Sequence, residues 1–120
     1  MDDDQLLALM RANLHDVFGQ RDPQARRAVA ERIYTQDVEF SDDEGVVTGW
    51  DGITGKAQAV LGAVPADFVF AEDGPFYAAG DEVALAWTFG PDGGEPAVRG
   101  IDIGTITGGR ISRMRTLLAR

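Results

Sequence analysis

A chain of 120 residues with apolar side chains spread along it has room for one domain, residues 1–120, and at this size about two-thirds of the unfolded surface is buried, enough for a core with a ligand-sized hollow. Eleven basic against twenty acidic residues give a net charge of −9, which repels a phosphate backbone and excludes nucleic acid as a partner. The absence of cysteine rules out disulfides, thiolate metal sites and a cysteine nucleophile, and with one histidine as well neither a metal nor a cofactor is expected.

The N-terminus, Met1-Asp2-Asp3-Asp4-Gln5, is acidic where a secretory leader is basic, and no apolar run approaches the roughly 18 residues of a membrane span. A cytoplasmic protein that does not engage the membrane is the expectation. From Asp3 to Phe18, Leu7, Met10, Leu14, Val17 and Phe18 recur at helical spacing, with negative charge where a helix N-terminus favours it. Asp22-Pro23 reads as an N-cap followed by proline at the first helical position, and Ala25, Ala28, Val29 and Ile33 form the inward stripe of a second helix.

Val38-Glu39-Phe40 is a short extended piece, followed by loop formers at Ser41 to Gly45 and Gly49 to Gly52 around Val46, Val47 and Trp50. A third helix begins near Asp51, with Ile53, Ala57, Val60, Leu61 and Val64 on one side until Pro65. Strands follow. Phe68 and Phe70 alternate, Glu72-Asp73-Gly74-Pro75 breaks the run, and Phe76 to Ala79 resumes it. Val83, Leu85, Trp87 and Phe89 then put large side chains on one face, Pro91 to Gly94 turns the chain into Ala97 to Thr107, and Gly108-Gly109 turns it into Ile111 to Ala119. Three helices followed by a meander of strands make the fold α+β.

Asp102 interrupts the apolar run Ile101-Asp102-Ile103, and a carboxylate inside a half-buried strand needs either a partner or a raised pKa. It reads as an acid in a pocket, or as a carboxylate paired with Arg99, Arg113 or Arg115 or pointing to solvent.

Two segments carry a family likeness: Ile33-Tyr34-Thr35-Gln36-Asp37-Val38-Glu39-Phe40-Ser41-Asp42-Asp43-Glu44-Gly45 with Gly49-Trp50-Asp51-Gly52-Ile53, and Gly100-Ile101-Asp102-Ile103 continuing through Gly109-Arg110-Ile111-Ser112-Arg113-Met114-Arg115. With the order of elements, the chain resembles the nuclear transport factor 2-like superfamily, in its SnoaL-like and ketosteroid isomerase-like branch. The resemblance implies a curved, mostly antiparallel mixed sheet wrapped as a cone around three N-terminal helices, with an apolar pocket at the open end. Members include isomerases, polyketide cyclases, dehydratases, epoxide hydrolases and binding domains without chemistry.

Asp42 matches the position of the isomerase's general base, and Asp102 that of the strand acid kept neutral so that it donates a hydrogen bond to an enolate oxygen. The tyrosine that family carries on its first helix has no counterpart: Leu14 stands there, with His15 beside it. The expected function is cofactor-independent proton transfer on an apolar carbonyl or polyketide-like compound, by an isomerase, cyclase or dehydratase with Asp42 as base and Asp102 as acid. The alternatives are a non-catalytic module that binds a hydrophobic ligand or dimerises, and an epoxide hydrolase-like enzyme.

Asp42 also reads as the cap of the Asp43-Glu44-Gly45 turn. His15, on the flank of the first helix, reads as a third catalytic group at the pocket mouth or as a surface residue. Tyr34, Trp50, Trp87, Phe89, Met114 and Leu118 are the candidate walls for a small apolar molecule, or plain core. The register that turns Asp102 inward sends Arg99, Ile101, Ile103 and Thr105 outward, with Ile111, Arg113, Arg115 and Leu117 beside them, a convex face suited to a homodimer.

Overall fold

In the computed structural model, which describes residues Met1–Arg120, the acidic N-terminus caps the first helix. Asp2 accepts a hydrogen bond from the Gln5 amide at 2.8 Å, and Gln5 Oε1 accepts one from the Asp2 amide at 3.0 Å, a reciprocal cap on α1 (Asp3–Arg11). The helix then continues as a π-helix over Ala12–Phe18, whose wider turns bury Asn13 and Leu14 side by side, and Val17 beside Phe18. Gly19 ends it with its amide on Leu14 O at 2.9 Å. A side chain at Gly19 would lie 2.8 Å from His15 O.

Helix α2 (Pro23–Ile33) starts at the Asp22 cap. Its inner side carries Arg26, Ala30 and Ile33, while Ala28, expected there, is exposed. Arg26 is tolerated in the core because its guanidinium donates to Gln20 O and to Gln58 Oε1.

The remaining elements are β1 (Tyr34–Asp42), β2 (Gly45–Thr48), α3 (Gly49–Gly62), β3 (Phe68–Ala79), β4 (Glu82–Pro91), β5 (Val98–Thr107) and β6 (Arg110–Leu118). The strands form one open sheet in the order β2-β1-β6-β5-β4-β3, with β1 parallel to β6 and every other pair antiparallel. Helix α1 packs against β4 and helix α3 against β1, and between helices and sheet lies a core that includes Met10, Leu14, Val17, Ile33, Ile53, Leu85, Ile111 and Met114. Three helices on a mixed, bent sheet are the α+β architecture that the order of elements predicts.

Three local expectations are corrected. Val46 and Val47, read as loop, belong to the β2 hairpin, where Val47 pairs with Phe40. Glu72 to Pro75 do not end a strand: β3 runs through them as a bulge, pairing resuming at Phe76–Leu85 after Glu72–Trp87, and such bulges bend a sheet. Ile111, expected on the convex face, is fully buried, because between the pairs Thr105–Arg113 and Ile106–Ile111 strand β6 carries one extra residue and side chains beyond it change sides.

Candidate functional site

Register places the site. Across β4, β5 and β6 the pairs align Trp87 with Gly100 and Leu118 in one row, and Leu85 with Asp102 and Thr116 in the next. A Cβ at Gly100 would stand 2.5 Å from Trp87 Cζ2, so glycine is what lets the indole lie across the neighbouring strand. That placement aims Trp87 Nε1 at Asp102, where it donates to Oδ1 at 3.0 Å. The Thr116 hydroxyl donates to the same oxygen at 2.7 Å, and Asn13 Nδ2 from the π-helix donates to Oδ2 at 3.1 Å. Behind Asn13, the Tyr34 hydroxyl donates to Asn13 Oδ1 at 2.6 Å.

Asp102 is 5% exposed, and no arginine holds it: Arg99 is paired with Asp73 and Arg113 with Glu39. Burial raises its pKa from the ordinary carboxylate value to about 6, with the bonds from Thr116, Trp87 and Asn13 pulling in the opposite direction. Burial, and then the charge of Asp102, push the Tyr34 phenol well above the ordinary tyrosine value, so it stays protonated and a donor.

Asp102 forms part of the wall of a cavity of about 390 Å³, within the size range of small-molecule sites. Leu14 and Phe18 of the π-helix, Phe40 of β1, Val60 and Val64 of α3 and its following turn, and Phe70, Trp87, Phe89 and Leu118 of the sheet make most of the lining apolar. Phe70 stacks on Phe89 with ring centroids 4.0 Å apart and meets Trp87 edge-on at 5.3 Å. Asp42, Asp43, Glu44, Lys56 and Thr116 are the other polar and charged residues on the cavity.

Asp42 stands at the end of β1, where Ser41 pairs with Arg115, so it reaches the level of Thr116 and Asp102 from two strands away. At the usual strand spacing that separates the two backbones by about 10 Å. Both of its oxygens are engaged: Oδ2 with Lys56 Nζ at 2.7 Å, and Oδ1 with the Glu44 amide at 2.9 Å in the turn that the sequence allows. Glu44 Oε1 is the second carboxylate on Lys56. Burial alone lowers the lysine's pKa, but Asp42 and Glu44 together hold it above its ordinary value, so the amine is a fixed cation.

Of the residues expected at the site, the structure brings Asp42, Asp102, Trp87, Phe89 and Leu118 to this one cavity. His15 is turned away from it, with Nε2 3.0 Å from Glu72 Oε2 beside an Arg11–Glu72 pair. Tyr34 is fully buried behind Asn13 and does not reach the cavity. Trp50 lies in the first turn of α3, where it donates to Tyr34 O at 3.3 Å and carries the Arg27 guanidinium over its ring, a bolt between elements. Met114 faces inward but is sealed in the core, its Cε and the sulfur of Met10 filling the space left by Gly104. Sequence reasoning missed Asn13, Thr116 and Lys56. For Asn13 a signal existed, since it stands three residues after Met10 inside an apolar stripe. No group of three or more histidine, aspartate or glutamate side chains converges to hold a metal ion.

The sequence matches the SnoaL-like domain over residues 11–114. No curated protein matches it. Among solved structures, a candidate isomerase of the SnoaL-like family from Agrobacterium tumefaciens str. C58 is similar with a TM-score of 0.89 at 19% identity, over 98% of this chain and 99% of that one. A candidate SnoaL-like polyketide cyclase from Jannaschia sp. CCS1 gives 0.75 at 14% identity, over 95% and 84%. A candidate ketosteroid isomerase from Kribbella flavida DSM 17836 gives 0.72 at 18% identity, over 98% and 79%. At these identities the likeness is one of fold.

Proposed function

The chain belongs to the SnoaL-like family, and on that premise we propose that it is a small-molecule enzyme that moves a proton within an apolar carbonyl or polyketide-like compound, without a cofactor. One observation carries the reading: a carboxyl group buried in the wall of a mostly apolar cavity, with a proton affinity poised near neutrality. Oδ1 has its acceptor capacity filled by Trp87 and Thr116, whereas Oδ2 accepts only from Asn13 and retains a free lone pair. The carboxylate thus keeps a lone pair free to take the proton from the carbon beside a bound carbonyl. The C–H electron pair passes into the enolate, whose oxygen charge is met by the Lys56 ammonium, and Asp102 returns the proton to a second carbon.

The roles differ from those the resemblance implies. Asp102, ionised at pH 7 and surrounded by donors, acts first as base and then as acid. Asp42, whose negative charge is already matched by the ammonium at 2.7 Å, orients Lys56. His15 has no part in the step, being held by Glu72 outside the cavity. Epoxide hydrolysis finds no support, because no arginine bridges the two carboxylates.

The test is hydrogen–deuterium exchange in D2O on a panel of apolar cyclic ketones, followed by NMR. Exchange catalysed by the wild type and lost in Asp102→Asn supports the reading. Binding without exchange favours the rival, a non-catalytic module for a hydrophobic ligand, for which the engagement of Asp42 by Lys56 and Glu44 speaks.

We also infer a homodimer through the convex face. Support comes from the exposure of Leu117, Val69 and Tyr77, at 49%, 43% and 64%, beside half-buried Ile101 and Ile103, with Arg99 and Arg113 among them. Analytical ultracentrifugation checks it: a dimer that Leu117→Lys and Ile103→Lys dissociate is the expected result, and a monomeric wild type overturns it.

A further inference from the structure

An asparagine beside a carboxyl group has two orientations open to it. Its NH2 faces a carboxylate and its carbonyl faces a carboxylic acid, so an unrestrained amide turns over when the carboxyl takes a proton, stabilising both forms. Asn13 is not unrestrained. Its side chain is fully buried, and its Oδ1 is the one acceptor for the Tyr34 phenol, itself fully buried. Turning the amide over would leave the phenol proton facing an NH2 group with its acceptor gone, and an orphaned buried donor is costly. The phenol stays a donor because burial keeps it protonated. Its position is fixed at the start of β1, where Trp50 Nε1 is bonded to the Tyr34 carbonyl.

We propose that Tyr34 is a positioning residue that locks the Asn13 amide with Nδ2 toward Asp102, so that this carboxyl group meets its ligand as a proton acceptor. The lock reaches Asp102 through Asn13, since the phenol hydrogen-bonds to Asn13 and not to the carboxyl group, whose charge it feels only at longer range. It rests on the reading of Asp102 as the proton carrier, but it is measured on the free protein. The titratable and charged groups around Asp102 are Tyr34 on β1 and, elsewhere on the same cavity, Asp42 and Asp43, Glu44 and Lys56. None of the last four bonds to it.

The experiment is a 13C NMR titration of the Asp102 carboxyl group without ligand. Tyr34→Phe frees the amide to turn, which stabilises the protonated form, so the midpoint rises, the acidity constant falling about three- to tenfold, the value of one hydrogen bond. Asn13→Ala raises it at least as far, and the double variant Asn13→Ala/Tyr34→Phe goes no further than Asn13→Ala alone. An unchanged midpoint in Tyr34→Phe, or effects of the two changes that add, overturns the proposal.

If Tyr34→Phe fails to fold, 3-fluorotyrosine in a Tyr77→Phe background labels Tyr34 alone, these being the only two tyrosines. The more acidic phenol is a stronger donor and moves the Asp102 midpoint down; no movement, or movement up, overturns the lock. Failure of the exchange assay leaves this titration standing, and failure of the titration leaves the exchange assay standing, so the two readings fall separately.

Discussion

Asp102 and Asp42 reach the same cavity from two strands apart, yet the first is held by three neutral donors and the second by a cation and a backbone amide. Neutral donors in a dry wall compensate the charge only in part, and burial moves the proton affinity of Asp102 up to about 6. A lysine compensates the charge of Asp42 directly, and Asp42 and Glu44 together raise the pKa of Lys56. The same functional group thus has its proton affinity raised in one place and serves as a mount for a cation in the other. What differs is the partner, since each side chain is largely withdrawn from water.

The largest test of that contrast is kinetic. Asp102→Asn removes the group proposed to carry the proton and is expected to lower kcat/KM for carbon–deuterium exchange by about 10²- to 10⁴-fold, the usual worth of general acid–base catalysis. Asp42→Asn leaves Lys56 in place with Glu44 and is expected to cost about tenfold or less, the loss of one orienting contact. Equal losses in the two variants would erase the distinction.

The next is the pH dependence of stability. Because the folded pKa of Asp102 lies above its unfolded value, the folded protein retains between about pH 4 and 6 a proton that the unfolded chain has released, so stability falls as pH rises through that window. Relative to Asp102→Asn, the wild type should lose on the order of 3 kcal/mol between pH 4 and 7, the free-energy equivalent of the shift. Lys56 acts in the opposite range: its raised pKa contributes stability that persists through neutral pH and is lost above the ordinary lysine range of about 10. Urea denaturation of both proteins from pH 4 to 8 reads the first effect, and a flat difference would refute it.

A smaller effect is expected at Gly100, which gives the indole its place. Gly100→Ala puts a methyl group where Trp87 Cζ2 stands, and overpacking of this kind costs about 1–3 kcal/mol. It also pulls Nε1 away from Asp102, so the carboxyl midpoint rises with the loss of stability. A stability loss without any change in that midpoint would mean that the indole bond does not tune the acid.

Much of this arrangement was legible in the sequence. A lone carboxylate in an apolar strand run identified Asp102, alternation identified Trp87 and Phe89, and the Asp22-Pro23 pair located a helix start that the structure keeps. What was illegible depended on backbone irregularity. Helical spacing from Met10 puts Asn13 on the apolar stripe, but a period of 3.6 residues does not describe the π-helix at Ala12–Phe18, which buries Asn13 beside Leu14 and brings it to Asp102. Strict alternation puts Ile111 on the convex face, and the extra residue in β6 turns it inward. Lys56 belongs to a helix read only for its apolar side, and its role depends on where the Asp42 turn ends in space.

The same irregular helix explains the smallest predicted effect. His15 follows Asn13 and Leu14 directly, but the π-helix buries that pair and leaves His15 on the flank, 38% exposed and against Glu72. Exposed contacts of this kind contribute little because water screens them and two side chains must be ordered to form them. His15→Gln keeps a donor toward Glu72, and Arg11 remains on the other oxygen of that carboxylate. The expected change in stability is within about 0.5 kcal/mol, and the exchange rate should stay within about twofold of wild type. Asn13→Ala, two residues earlier, should move the Asp102 titration while His15→Gln leaves it in place. A catalytic defect in His15→Gln as large as that in Asp102→Asn would instead give His15 a part in the step.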